Sequence, residues 1–409
     1  MKTPVVTDAD KTRGIVAAFA DRASTQRVPT LTPVKVEMRP MAARSGGISG
    51  AQQRNPVVSF VGSVVFNVIG AALQVLSGPA VVPPGSSVTT RTSTLTMPGS
   101  GQSVRADWYF PEDVDSSTRL VYLQHGFMAT GPMYGYTAGY LAEHTNSIVV
   151  APTLPSNLFD SSGYWLAGEP MQQSVADLFV GDRAELTASA GAALGEPVAL
   201  PSDFVLVGHS LGGMLVTGAA GRMADNGAIE NLRGVVLLDA VDTNSDMPDA
   251  LAKLSGDNFR PVLNISSERY VWNLDGIVGD ELTAARPDEF NGVMLIGGRH
   301  IDALQGANTV LQVAEYIVAG FSQSQNVDAV PILASGWIND MFDGTHDGIY
   351  GEPQQSIDIP TPSGIATAVA FPFTSPDSVQ ATPWDGLSRA ILNALFPYAV
   401  YEPTTPVDV

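Results

Sequence analysis

The chain has 409 residues, 44% hydrophobic and 15% charged, which is enough apolar material for a large core and too much for disorder. It contains no cysteine, which excludes disulfides, thiolate metal sites and a cysteine nucleophile. The net charge of −20 is unevenly spread: residues 1–55 hold nine Lys or Arg against four Asp or Glu, so the rest is strongly acidic and a poor partner for nucleic acid.

Residues 1–55 are rich in Ala, Arg, Thr, Ser and Pro with little periodicity, and read as a basic, solvated arm. The first twenty residues lack the apolar core of a secretory signal, since Gly14–Ala20 is short and flanked by Asp10 and Asp21. The strongest apolar run follows, Val57 to Leu76. Ser59, Ser63, Asn67, Gln74 and Ser77 interrupt it at spacings that form one narrow polar stripe on a helix. Such a wide apolar face suits a helix packed on the body. Membrane or lipid contact and a true membrane span are the alternatives, although the Lys and Arg usual on the polar face of surface-bound helices are missing. Residues 56–84 are therefore an apolar helix and linker, ended by Pro83-Pro84-Gly85.

Val88–Met97 and Ser103–Phe110 then read as a hairpin turning at Pro98-Gly99-Ser100-Gly101. Beyond it strands alternate with helices: strands at Leu120–Leu123, Ile148–Ala151, Phe204–Val207, Val235–Leu238, Val262–Ile265 and Val293–Ile296, helices at Tyr134–His144, Met171–Leu194 and Leu211–Ala224. This pattern predicts an α/β fold with a mostly parallel sheet of about eight strands, covered by helices on both faces. The catalytic body is expected over 85–320. Between Pro155 and Pro170, Phe159, Tyr164 and Trp165 are candidate substrate contacts in a lid or pocket wall. Residues 321–409, rich in Pro, Gly and aromatics, read as a C-terminal extension packed on the body.

Gly208-His209-Ser210-Leu211-Gly212 matches G-x-S-x-G, with strand DFVLV before it and helix MLVTGAAG after it. Glycines permit a tight strand-to-helix turn that lifts the Ser210 hydroxyl to the positive end of the helix. An oxyanion needs backbone N–H donors. Leu211, after the nucleophile, supplies one, and Phe127 in the strand-end loop HGF is the candidate for the second. Of five histidines, His300 follows the last strand in GGRHIDAL, where the base falls in the order Ser, acid, His. His209 should point away from Ser210, His125 should hold its loop, and His346 is the competing base. Asp239, ending GVVLLDAVD, is the favoured acid, followed by Asp242 and Glu268. Asp302 is expected to support the loop of His300. Asn339, Asp340, Asp343 and Asp347 do not have the spacing of a calcium loop and read as a capped turn. No cofactor or metal is expected.

These motifs together resemble the α/β-hydrolase superfamily over about residues 85–320. Within it, LLDAVD and HID resemble the chlorophyllase and platelet-activating-factor acetylhydrolase branch, where the acid likewise follows the sixth strand. Leu211 departs from the Arg of the plant GHSRGG motif, which argues against chlorophyll as substrate. The N-terminal apolar segment is similar to those of some actinobacterial envelope proteins, which implies an exported or envelope-associated enzyme. The resemblance implies a serine esterase or lipase-like hydrolase that forms an acyl-enzyme on a hydrophobic ester. Acyl transfer to an alcohol acceptor, or a non-catalytic scaffold on the same fold, are the alternatives.

Overall fold

Each central strand carries apolar side chains on both sides. In β3 (Arg119–Gln124), Leu120 and Tyr122 enter one core while Val121 and Leu123 enter the other. In β5 (Phe204–His209), Phe204 and Leu206 split from Val205 and Val207 in the same way. A strand buried on both faces requires helices above and below it, and that requirement builds the body. The computed structural model describes residues 56–373 and 382–403. The expected arm 1–55, and residues 374–381 and 404–409 of the C-terminal segment, lie outside the described residues.

β1 (Thr89–Thr96), β2 (Ser103–Phe110), β3, β4 (Ser147–Pro152), β5, β6 (Leu232–Leu238), β7 (Val262–Ser266) and β8 (Gly292–Leu295) match the eight predicted strands. Six of them, in the order β4-β3-β5-β6-β7-β8, form a parallel centre. The β1–β2 hairpin adds antiparallel to β4. One face is covered by α3 (Glu169–Asp177), α4 (Ala184–Leu194), α5 (Leu211–Asn226), α6 (Met247–Lys253) and α7 (Ile277–Ala285), which supply Met171, Leu186, Met214, Met247 and Leu282. The other is covered by α2 (Gly135–His144) and α9 (Ser324–Asp343), with Leu141, Leu333 and Trp337. α8 (Thr309–Ala319) and α10 (Asp385–Leu395) complete the helices used below.

Three features depart from expectation. β9 (Ser356–Thr361) and β10 (Gly364–Ala370) extend the sheet antiparallel at β8, giving ten strands in the order β1-β2-β4-β3-β5-β6-β7-β8-β10-β9. The C-terminal segment thus contributes to the central sheet as well as packing on it. Its strands were hidden because β10 buries Ala366, Ala368 and Ala370, a residue type poor in strands, and β9 carries Pro360 at the edge. The single helix expected over 171–194 is two, α3 and α4. The chain turns between them with Arg183 at φ 53°, its buried guanidinium donating to the carbonyls of Pro201 and Ser202.

The third departure is α1 (Pro56–Ser77), which packs in the reverse sense. Its polar stripe faces the body. Asn157 Nδ2 donates to Ser63 Oγ at 2.8 Å and to Asn67 Oδ1 at 3.1 Å, and Ser77 Oγ lies 2.7 Å from Thr130 Oγ1. A Cβ on Gly62 would come within 2.8 Å of the Phe159 ring carbons, so Gly62 permits the close approach. The wide apolar face points outward, with Phe60 70% exposed and Val68 64% exposed. The stripe correctly marks a packed face: its serines and Asn67 meet the body together with Phe66 and Leu73, while the valines point outward.

Candidate active site

The turn from β5 into α5 is fixed by steric necessity. A Cβ on Gly208 would sit 2.3 Å from the Gly212 carbonyl oxygen, and one on Gly212 would sit 2.5 Å from the carbonyl oxygens of Gln124 and His125. Only glycine allows α5 to start so close to the end of β3. Ser210 adopts φ 55° and ψ −126°, a backbone region that side-chain-bearing residues rarely occupy and that stores strain. It stands immediately before α5, whose aligned peptide dipoles favour negative charge there.

His300, in the loop after β8, places Nε2 2.8 Å from Ser210 Oγ. Its Nδ1 lies 2.6 Å from Asp239 Oδ2. An ionised carboxylate only accepts, so Nδ1–H donates to Asp239 and Nε2 is left to accept from the serine hydroxyl. All three residues are buried: Ser210 is 8% exposed, His300 6% and Asp239 5%. Burial pushes the Asp239 carboxyl upward, but hydrogen bonds and the charge interaction with His300, joined by Ser267, hold it below its ordinary value. Asp239 Oδ1 accepts from the Ser267 amide at 2.8 Å, from Ser266 Oγ at 3.1 Å and from Asn273 Nδ2 at 3.2 Å, while Ser267 Oγ donates to Oδ2 at 2.7 Å.

The other acids sit elsewhere. Asp242 accepts from the amides of Asn244, Ser245 and Met247, holding the turn into α6. Glu268 Oε1 accepts from Gly297 N–H at 3.1 Å. Asp302 accepts from Arg299 N–H at 2.8 Å, within the loop of His300. Desolvation pushes the Asp302 carboxyl up to about 7.

The other histidines are occupied. His125 Nδ1–H donates to the Gly126 carbonyl at 2.8 Å, and Nε2 accepts from Leu154 N–H at 2.9 Å. His144 stacks on Tyr140 and His346 on Tyr350. His209 points away from Ser210, as its place in the strand requires, into a buried network that the sequence reading missed. Gly126 N–H donates to Tyr134 Oη at 3.0 Å, Tyr134 O–H donates to His209 Nδ1 at 2.6 Å, and His209 Nε2–H donates to the His300 carbonyl at 2.6 Å. Burial, with the nearby His300, lowers the His209 ring to about 3, so it stays neutral and can both accept and donate. The network ties the loop of Phe127 to the loop of His300. Tyr270 Oη, accepting from His300 N–H, adds a further anchor.

Phe127 follows Gly126, on which a Cβ would sit 2.9 Å from Ser210 Cβ, so its loop borders the serine directly. Leu211 opens α5 beside it. The Phe127 ring meets Phe66 at 5.9 Å, Phe396 at 5.6 Å and the edge of Trp165 at 6.4 Å. Phe159 lies 5.6 Å from Phe66 and 6.0 Å from Tyr398. Trp165 is fully buried and donates to the Val400 carbonyl at 2.6 Å, while Tyr164 lies against the turn at Gly99. An aromatic wall therefore borders the serine, built by α1, the 155–170 segment and the chain after α10. Phe66, Phe396 and Tyr398 were not singled out from sequence, because they stand far from the motif in the chain and only tertiary packing brings them to it.

Among the described residues no group of three or more His, Asp or Glu could hold a metal ion. Asn339 and Asp343 bind Arg119, and Asp340 accepts from Thr345, Tyr350 and the amides of Asp347 and Gly348, a capped turn.

No curated protein matches the chain in sequence. Solved structures similar to it include a mutant of the esterase rPPE, at 15% identity with 68% of this chain and 89% of that one covered and a TM-score of 0.46. Brefeldin A esterase, a bacterial homologue of human hormone sensitive lipase, aligns at 15% identity over 72% and 88% with a TM-score of 0.45. Carboxyl esterase 2 from the mycorrhizal fungus Tuber melanosporum aligns at 12% over 68% and 98% with a TM-score of 0.44. Residues 120–316, from β3 to α8 and including Ser210, Asp239 and His300, match the alpha/beta hydrolase family. With a mixed sheet clad by helices on both faces and a serine turn after the fifth strand, the chain has the α/β-hydrolase fold.

Proposed function

We propose that this protein is a serine hydrolase that cleaves carboxylic esters through an acyl-enzyme. The observation that carries the reading is the continuous relay Ser210 Oγ, His300 Nε2, His300 Nδ1, Asp239 Oδ2, with contacts of 2.8 and 2.6 Å. In this reading Ser210 Oγ attacks the ester carbonyl carbon while its proton passes to His300 Nε2. The carbonyl oxygen becomes an oxyanion, received by the amides of Phe127 and Leu211. Collapse expels the alcohol, which takes the proton from Nε2 and leaves the acyl group on Ser210. Water then attacks the acyl carbon, gives its proton to Nε2, and the acid departs as that proton returns to Ser210. Asp239 keeps the imidazole in the accepting tautomer and stabilises its positive form. The wall of Phe66, Phe127, Phe159 and Phe396 favours a hydrophobic acyl group.

The test combines fluorophosphonate labelling with p-nitrophenyl esters of increasing acyl length. Wild type is expected to be labelled and active, and Ser210→Ala to be neither. A wild type that is neither labelled nor active on any ester refutes the reading. Adding an alcohol acceptor and analysing products separates hydrolysis from acyl transfer.

A further inference from the structure

The apolar face of α1 raises the question of which solvent it meets. Val57, Val61, Val64, Val68 and Val75 fall at the spacings of one helical stripe, with Phe60 beside them. All are exposed, Val75 to 82%. The helix has 22 residues, is about 33 Å long and carries no charged side chain. Long and apolar enough to cross a membrane, it has none of its apolar window buried. Apart from Phe66 and Leu73, the helix turns small and polar groups to the protein and its valines outward, which inverts the arrangement expected in water.

Two further segments continue this surface. α8 exposes Val310 and Val313, with Phe321 after it, and α10 exposes Leu387 and Ile391. They adjoin α1 and the candidate site. Asn308, which caps α8, donates to the Leu76 carbonyl at the end of α1, and α10 packs beside α8. Phe396 and Tyr398, after α10, lie on Phe127 and Phe159. The apolar surface thus adjoins the Phe127 loop that borders Ser210, and exposed patches of this kind mark an interaction surface.

The arrangement favours one occupant. α1 is tied along its length to Asn157 and at its end to Thr130, so it lies along the body rather than leaving it to cross a bilayer. Residues 1–55 end where α1 begins, and they carry the chain's one basic excess, while the remainder is acidic. Basic segments beside an apolar helix are drawn to anionic headgroups. We propose that the outer face of α1, with α8 and α10, seats the protein on the surface of an anionic lipid bilayer. Its ester substrate then reaches Ser210 from the lipid side. The substrate part rests on the ester-hydrolase reading; the docking part does not.

The test is flotation of the full chain with vesicles of phosphatidylcholine alone and of equal phosphatidylcholine and phosphatidylglycerol. Wild type is expected to float with the anionic vesicles and more weakly with the neutral ones. The double variant Val61→Glu/Val68→Glu should lower the bound fraction about tenfold or more, since two carboxylates would have to enter the interface. Its melting temperature should be unchanged, because both positions are exposed. Ser210→Ala should float like wild type, so a failed esterase assay leaves the docking result readable. A wild type that stays unbound with both vesicles, or a double variant that floats equally well, overturns the proposal. So does a lipid-free dimer that the double variant dissociates, which would assign the face to a second copy of the chain.

Discussion

Replacing Asp239 by Asn tests it against the other two candidate acids, Asp242 and Glu268. The side chain keeps its size, and its oxygen can still accept from Ser267 N–H at the 2.8 Å position. The amide nitrogen then faces His300 Nδ1 across the present 2.6 Å contact. An amide donates, so Nδ1 must become the acceptor and the ring proton moves to Nε2. An Nε2–H cannot take the proton of Ser210, and nothing stabilises the imidazolium. The loss expected for a wrong tautomer is about 10³–10⁴-fold in kcat, or ~4–5.5 kcal/mol of transition-state stabilisation. KM should move only a few-fold, because Asp239 lies behind the histidine. The assay is initial-rate hydrolysis of a soluble p-nitrophenyl ester, with Asp242→Asn and Glu268→Gln in parallel. Asp242→Asn weakens the turn into α6, costing about 1–2 kcal/mol of stability with the rate kept. If Asp239→Asn retains kcat within about tenfold while Asp242→Asn or Glu268→Gln loses a thousandfold, the orienting role assigned to Asp239 is wrong.

Tyr134→Phe leaves Gly126 N–H and His209 Nδ1 without partners in a buried site, so thermal unfolding should show a loss of about 1–3 kcal/mol and kcat should fall as the two loops separate. Gly212→Ala drives a methyl to 2.5 Å from two backbone oxygens that cannot move independently; about 2 kcal/mol or more should be lost in denaturant melts, with activity falling in parallel. Asp302 is raised to about 7 when folded against 3.8 unfolded, so the folded chain holds a proton that the unfolded chain has released. Its stabilisation is fully present below pH ~3.8 and is lost as pH rises through about 7. Asp302→Asn, which mimics the neutral acid, should therefore match wild type near pH 4 and exceed it at pH 8 by on the order of 3 kcal/mol in melting experiments. An equal difference at both pH values refutes the assignment.

Much of this was legible in the chain because it depends on neighbours in sequence. Short continuous runs of Val, Leu and Ile marked the six parallel strands, since both faces of a parallel sheet need apolar cover. The serine turn was legible because only glycine fits where α5 starts against β3, which leaves a local signature around Ser210. His300 and Asp239 could be chosen by their places after strands, but the sequence left Asp242 and Glu268 open. The tertiary structure separates them: β6 and β8 end on the same side of the sheet, and only Asp239 meets the imidazole there.

Other features had no local signature. The strands β9 and β10 exist because β8 offers an edge to pair with, and alanines suffice to pack there although they signal no strand. The link from Tyr134 through His209 to His300 joins residues 75 and 91 positions apart, which no spacing rule connects. The stripe on α1 fixed which side of the helix is distinct, because helical geometry alone sets that. Which side meets the protein was decided by the partners waiting there. Asn157 and Thr130 take the serines and asparagine, and the valines are left outside.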